Sequence, residues 1–123
     1  MELTIELFET TLHRVKGDGG TGGAERRAVP RVGLRSRIKL LRVREGVVES
    51  TGIEAWTRDI SRNGMGIVTT KRIKNGETYL VVLTSQETSR QRVLFCTVRN
   101  CQFQNDIYTA GMSFEELRSR VAA

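Results

Sequence analysis

Two short clusters combine residue types that could do chemistry. Arg27-Ala-Val-Pro-Arg31 sets two guanidiniums four residues apart, and Asp59-Ile-Ser61-Arg-Asn-Gly64 sets a carboxylate, a hydroxyl and a glycine at fixed spacing. The planar fork of arginine suits phosphate oxygens and the O6/N7 edge of guanine. In the second cluster Asp59 and Ser61 can bond backbone N–H groups of their own turn, with Gly64 at positive φ, or offer acceptors to a bound molecule. Neither cluster is diagnostic alone, since an arginine four residues after another occurs three times, at 27/31, 31/35 and 58/62.

The first cluster lies in the most basic part of the chain. The 123 residues carry a net charge of +6, and residues 24–45 alone hold eight cations against Glu25 and Glu45. Such a concentration favours an anionic partner. Catalytic parts are scarce by contrast. His13 is the only histidine, so Ser/His or Cys/His nucleophilic machinery and histidine-rich metal sites lack their components, and no enzymatic activity is expected. Cys96 and Cys101 lie five apart in what reads as one strand, which predicts side chains on opposite faces and neither a disulfide nor a metal pair. The longest apolar runs, such as Tyr79 to Leu83, fall far short of the roughly 20 residues that span a bilayer. With Glu2, Glu6 and Glu9 where a secretory signal would be basic and then apolar, a cytoplasmic protein without membrane insertion is expected.

The elements that must position these clusters follow from hydrophobic spacing. Leu3, Leu7, Phe8, Leu12 and Val15 recur at helical intervals, predicting a short amphipathic helix within residues 1–16. Residues 17–23 hold five glycines and read as a flexible linker, so residues 1–23 form an N-terminal extension to a domain over 24–123. Strands are expected at Arg37–Arg44, Ile53–Ile60, Gly66–Thr70, Thr78–Thr84, Arg92–Phe103 and Ile107–Phe114. Turn residues at Glu45-Gly46, Arg62-Asn63-Gly64, Asn75-Gly76 and Asn105-Asp106 separate them. Six strands joined by short turns predict an all-β fold, an antiparallel sheet closing as a small barrel. Glu115–Val121 reads as a short C-terminal helix with Ser113 as its N-cap. Trp56 reads as core or a partly exposed sheet face in preference to a base-stacking platform, Arg58 and Arg99 as solvated strand positions although either could face a ligand groove, and one of Phe95 and Cys96 as core.

Taken in this order, at strand boundaries of a small β domain, the two clusters resemble the signature of the PilZ domain. That family carries Arg-x-x-x-Arg in a loop before the first strand and Asp/Asn-x-Ser-x-x-Gly after it, on a six-stranded barrel followed by a helix. Tyr108-Thr-Ala-Gly-Met-Ser-Phe114 is similar to its last strand. The resemblance implies binding of the bacterial second messenger cyclic di-GMP. Arg27 and Arg31 would contact phosphates and guanine O6/N7, and Asp59 and Ser61 a guanine, with Gly64 allowing a tight backbone turn below the ligand. Arg26, just before the first motif, either lies on an extruded guanine of a second stacked ligand or is solvated. A signalling receptor or adaptor with an effector protein as partner, and no cofactor beyond its ligand, is the expectation. The alternatives are a small basic barrel that binds RNA or single-stranded DNA and a ligand-free PilZ-like scaffold. A nucleic-acid polymer would call for aromatics spread along a basic face. Aromatics are only 6% of the chain. The scaffold reading goes with lost motif residues, and here they are intact.

Overall fold

Alternating apolar residues from Val32 onward resolve into seven strands. A computed structural model describes residues 1–18 and 30–115, with the backbone alone for 15–18. The elements are α1 (Ile5–Asp18), β1 (Arg31–Gly33), β2 (Arg37–Arg44), β3 (Val47–Ser61), β4 (Gly64–Thr69), β5 (Thr78–Thr84), β6 (Gln91–Gln104) and β7 (Ile107–Phe114). The sheet runs β1-β3-β2-β5-β6-β7-β4, and a further β3–β4 pairing closes it. Six antiparallel strands therefore make the expected barrel, while β1 is an added edge strand on β3, pairing Arg31 with Ser61 and Gly33 with Asp59. Leu40, Ala55, Ile60, Ile67, Tyr79, Val81, Leu83 and Cys96 fill the interior. Glu45 and Gly46 (φ 52° and 80°) turn β2 into β3, and Asn105 and Asp106 (φ 55° and 64°) turn β6 into β7. Positive φ at both central positions gives each hairpin a turn whose twist matches that of its strands.

Two bulges decide which residues the barrel wall shows to solvent. Along β3, Ala55 and Thr57 face the interior. Strict alternation would send Asp59 inward after them. The register slips at Arg58, Ile60 becomes the next interior residue, and Asp59 turns outward. The same happens on β6: Leu94, Cys96 and Val98 face inward, the register slips at Arg99, and Asn100 is exposed. This second slip corrects the expectation for the cysteines. The extra residue restores parity, so Cys101 packs against the same interior that holds Cys96, and both remain free thiols.

The N-terminal helix is part of the packed structure. Thr4 caps it, its Oγ1 accepting the Leu7 N–H at 3.1 Å. Leu3, Ile5 and Phe8 are buried in the main core, and Phe8 meets Phe114 edge to face at 5.8 Å. Ahead of the helix, the Leu3 N–H donates to Arg37 C=O and the Arg37 N–H to Met1 C=O. Glu6 accepts the Ser85 hydroxyl and the Gln86 N–H, while Glu9 pairs with Arg92 at 3.4 Å. The helix thus lies across the barrel end where β5 finishes and β6 begins. It runs on to Asp18, through the first two residues of the expected linker. Residues 19–23 of that linker, Arg26, Arg27 and the expected C-terminal helix beyond Glu115 lie outside the described residues. Ser113, expected as that helix's cap, is a β7 residue paired with Gly64. No helix among the described residues is long and apolar enough to cross a membrane.

Candidate functional site

The bulges frame a hollow on the outer wall. Four residues stand in one cross-strand row: Asp59 pairs with Gly66, Gly66 with Gly111, and Gly111 with Asn100. The middle two have no side chain, so they form a floor, and the outer two are those the bulges turn outward. Each outer side chain bends back over its neighbouring glycine. Asp59 Oδ1 accepts the Gly66 N–H at 3.1 Å, and Asn100 Oδ1 accepts the Gly111 N–H at 3.1 Å. A Cβ on Gly66 would sit 3.0 Å from the Asp59 carboxylate, and one on Gly111 3.0 Å from the Asn100 amide. The resulting hollow has a volume of about 220 Å³.

Arg31 reaches this hollow from β1. Its Nη1 stands 3.7 Å from Asp59 Oδ2, with the arginine side chain 67% exposed and the carboxylate 21%. A long, open ion pair of this kind contributes at most about 1 kcal/mol. Little free energy therefore holds Arg31 on Asp59. At the opposite rim Arg99 donates from Nε to Ser113 Oγ at 2.7 Å, and among the described residues its two terminal nitrogens form no ion pair.

Ser61 and Gly64 shape the hollow from below. Ser61 is buried, and its Oγ accepts the N–H groups of Asn63 and Gly64 and donates to Gly64 C=O, all at 3.2 Å. It is committed to the β3–β4 turn and is not part of the hollow's lining. Gly64 does line it, but for a reason other than the positive φ expected from the motif. Its backbone is extended with the strand, and a Cβ there would overlap the Met112 carbonyl oxygen. Of the residues singled out in the sequence, the structure thus brings Arg31, Asp59 and Gly64 to one hollow with Ser61 beneath. Arg99, which could face a groove on its sequence position, and Gly111 of the last-strand pattern join them, as do Gly66 and Asn100, which had no signal in the sequence; Asn100 is on this face because of the β6 bulge.

A family model described as the PilZ domain matches residues 25–122. The chain belongs to the PilZ family. PilZ domains are cyclic di-GMP receptor domains and not a known enzyme family. No curated protein matches the chain. In this PilZ domain no three His, Cys, Asp or Glu side chains converge among the described residues. The polar residues lining its hollow are two arginines, Asp59, Asn63, Asn100 and Ser113, beside glycine backbone.

Proposed function

We propose that the chain binds cyclic di-GMP in the glycine-floored hollow and acts as a signalling receptor or adaptor without catalysing a reaction. The observation that carries this reading is the meeting of the two motifs: Arg31 of the first stands 3.7 Å from Asp59 of the second, at the edge of a floor with no side chains. A guanine edge presents N1–H and N2–H donors beside the O6 acceptor. Asp59 supplies acceptors for the donors, since Oδ2 is free once Arg31 moves and Oδ1 keeps a lone pair beside its bond to Gly66. Arg31 then turns its fork to O6/N7 or to a phosphate, where a charge-assisted bond is worth about 1.5–3 kcal/mol, more than the pair it leaves. Gly66 and Gly111 leave the room in which the Asp59 carboxylate and the Asn100 amide lie close to the sheet, with a base meeting their edges. Arg99 provides a second cation for a ligand with two phosphates.

At about 220 Å³ the hollow is smaller than the roughly 300–1,000 Å³ that encloses a drug-sized ligand. It holds part of cyclic di-GMP, and the segment before Pro30, with Arg26 and Arg27, supplies the rest. Ser61 acts by holding the turn that presents Asn63 and Gly64. Titration calorimetry with cyclic di-GMP tests the reading, with GMP and cyclic di-AMP as controls. Saturable binding of cyclic di-GMP is expected, with GMP far weaker. Cyclic di-AMP should be rejected, because adenine presents an N6–H₂ donor where the arginines need an acceptor. No heat at high micromolar cyclic di-GMP would refute it.

A further inference from the structure

One strand step from the glycine floor, the same wall carries a second hollow with a different lining. Trp56 of β3 pairs with Val68 of β4, two residues on from Gly66, which is about 7 Å along the strand. This is the chain's only tryptophan, and it is 38% exposed. The Arg37 guanidinium lies 5.7 Å from its ring centroid, and Glu2 stands 3.9 Å from Arg37 Nε. One side of the ring and the charge of Arg37 are therefore occupied. Arg35 and Arg58 stand with Trp56, Thr57 and Val68 around a hollow of about 410 Å³, and among the described residues neither arginine forms an ion pair.

The backbone holds these arginines firmly. Buried Thr57 donates its N–H to Ser36 C=O at 2.8 Å and its hydroxyl to Leu34 C=O at 2.6 Å, and its Oγ1 accepts the Ser36 N–H at 2.9 Å. The Leu34 N–H donates to Arg58 C=O at 3.0 Å. Arg35 is thus fixed on both sides to β3, and its side chain projects from a stapled backbone. Little backbone entropy remains to be lost there on binding, so the ordering cost is that of the two exposed arginine side chains.

A partly exposed tryptophan between uncompensated arginines has the composition of a binding hot spot. Its complement is an apolar or aromatic anchor for the ring and Val68, flanked by carboxylates for Arg35 and Arg58. A nucleic-acid strand fits less well, because successive bases stack on several aromatics and here one ring has one side already taken. We propose that the Trp56 hollow is a docking surface for an acidic protein segment carrying one aromatic or branched apolar anchor. The proposal goes beyond the cyclic di-GMP reading and does not depend on it.

The full chain, immobilised, can be used to select from a displayed library of short acidic peptides, each with one central Phe, Leu or Ile. A matched library with Lys and Arg in place of the acids is the control. Because the peptides contain no tryptophan, emission from Trp56 reports binding directly. Selected acidic peptides should change that emission saturably, and Arg35→Glu and Arg58→Glu should each weaken them by about tenfold or more. Arg35→Glu should retain wild-type circular dichroism and wild-type cyclic di-GMP binding. The proposal is overturned if the acidic library yields no binder, or if selected peptides bind wild type and Arg35→Glu equally. It is also overturned if a mixed-sequence single-stranded oligonucleotide changes Trp56 emission at lower concentration than any selected peptide.

Discussion

Two hollows share one wall of the barrel and differ in what lies at the bottom. The first is floored by Gly66 and Gly111 and edged by Asp59, Asn100, Arg31 and Arg99, so it offers acceptors as well as donors over bare backbone. The second is built on Trp56 and Val68 and rimmed by Arg35 and Arg58, so it offers an apolar surface and positive charge only. Positive charge alone attracts any anion. Discrimination needs an acceptor beside the donors, and only the first hollow has a carboxylate. The difference comes from two residues of extra chain: the bulges at Arg58 and Arg99 turn Asp59 and Asn100 out of the interior.

The interior common to both hollows sets the largest expected effect. Burial pushes the Cys96 thiol from 9.0 up to about 12, aided by nearby Glu115. Burial, then the bond to Glu77, pushes the Tyr79 phenol from 10.0 up to about 12. Both groups fold as the neutral acid, and the unfolded chain loses these protons first. Stability should therefore be intact below pH 9 and fall as pH rises from there to about 12. Thermal unfolding across that range should show the midpoint dropping, with Tyr79→Phe flattening the part above pH 10; a constant midpoint would contradict the packing.

Next in size is Gly64→Ala, which forces a methyl group into the Met112 carbonyl and should cost about 3 kcal/mol in urea unfolding. Gly111→Ala meets only the movable Asn100 amide and should cost about 1 kcal/mol while obstructing the floor. Similar costs at the two positions would erase the distinction between a glycine the barrel needs and one the hollow needs.

For cyclic di-GMP affinity, Arg31→Ala and Asp59→Ala should each lose about 1.5–3 kcal/mol, roughly ten- to 150-fold. Arg35→Ala, in the second hollow, should change affinity by about twofold or less. Calorimetry of the three variants checks this ordering. Equal losses at Arg31 and Arg35 would mean a diffuse basic surface in place of two distinct hollows.

Much of the barrel was legible because alternation and turn chemistry are local. The strands at Arg37–Arg44, Thr78–Thr84 and Ile107–Phe114 have the bounds expected from their residues. The strand expected from Ile53 begins at Val47, because its first turn sits in an exposed hairpin where Val47 and Val48 have no interior to face. Arg31–Gly33 carries too few residues to show any period, and only its pairing with β3 makes it a strand. Phe95 and Cys96 do face opposite ways, with Cys96 in the core. Trp56 is the partly exposed sheet residue its type allowed. Arg99 is the exposed strand residue expected, and its Nε also reaches Ser113 at the rim of the hollow. The bulges left no local signature, and the one misplaced orientation, at Cys101, lies just beyond one. Asp59 and Arg31 were legible as candidate residues through their motifs and do line one hollow, whereas Gly111 was read only as part of the last-strand pattern and Gly66 not at all, since a strand glycine is read only from what lies above it.

The most direct test of the two-hollow account is a two-dimensional ¹H–¹⁵N spectrum of the protein during titration with cyclic di-GMP. With a single tryptophan, the Trp56 indole N–H gives one resolved marker for the second hollow, and the Gly66 and Gly111 amides mark the first. The account predicts that the two glycine amides shift strongly and saturably while the indole signal moves little. Glycine amides that stay in place, with the indole signal shifting most, would contradict it.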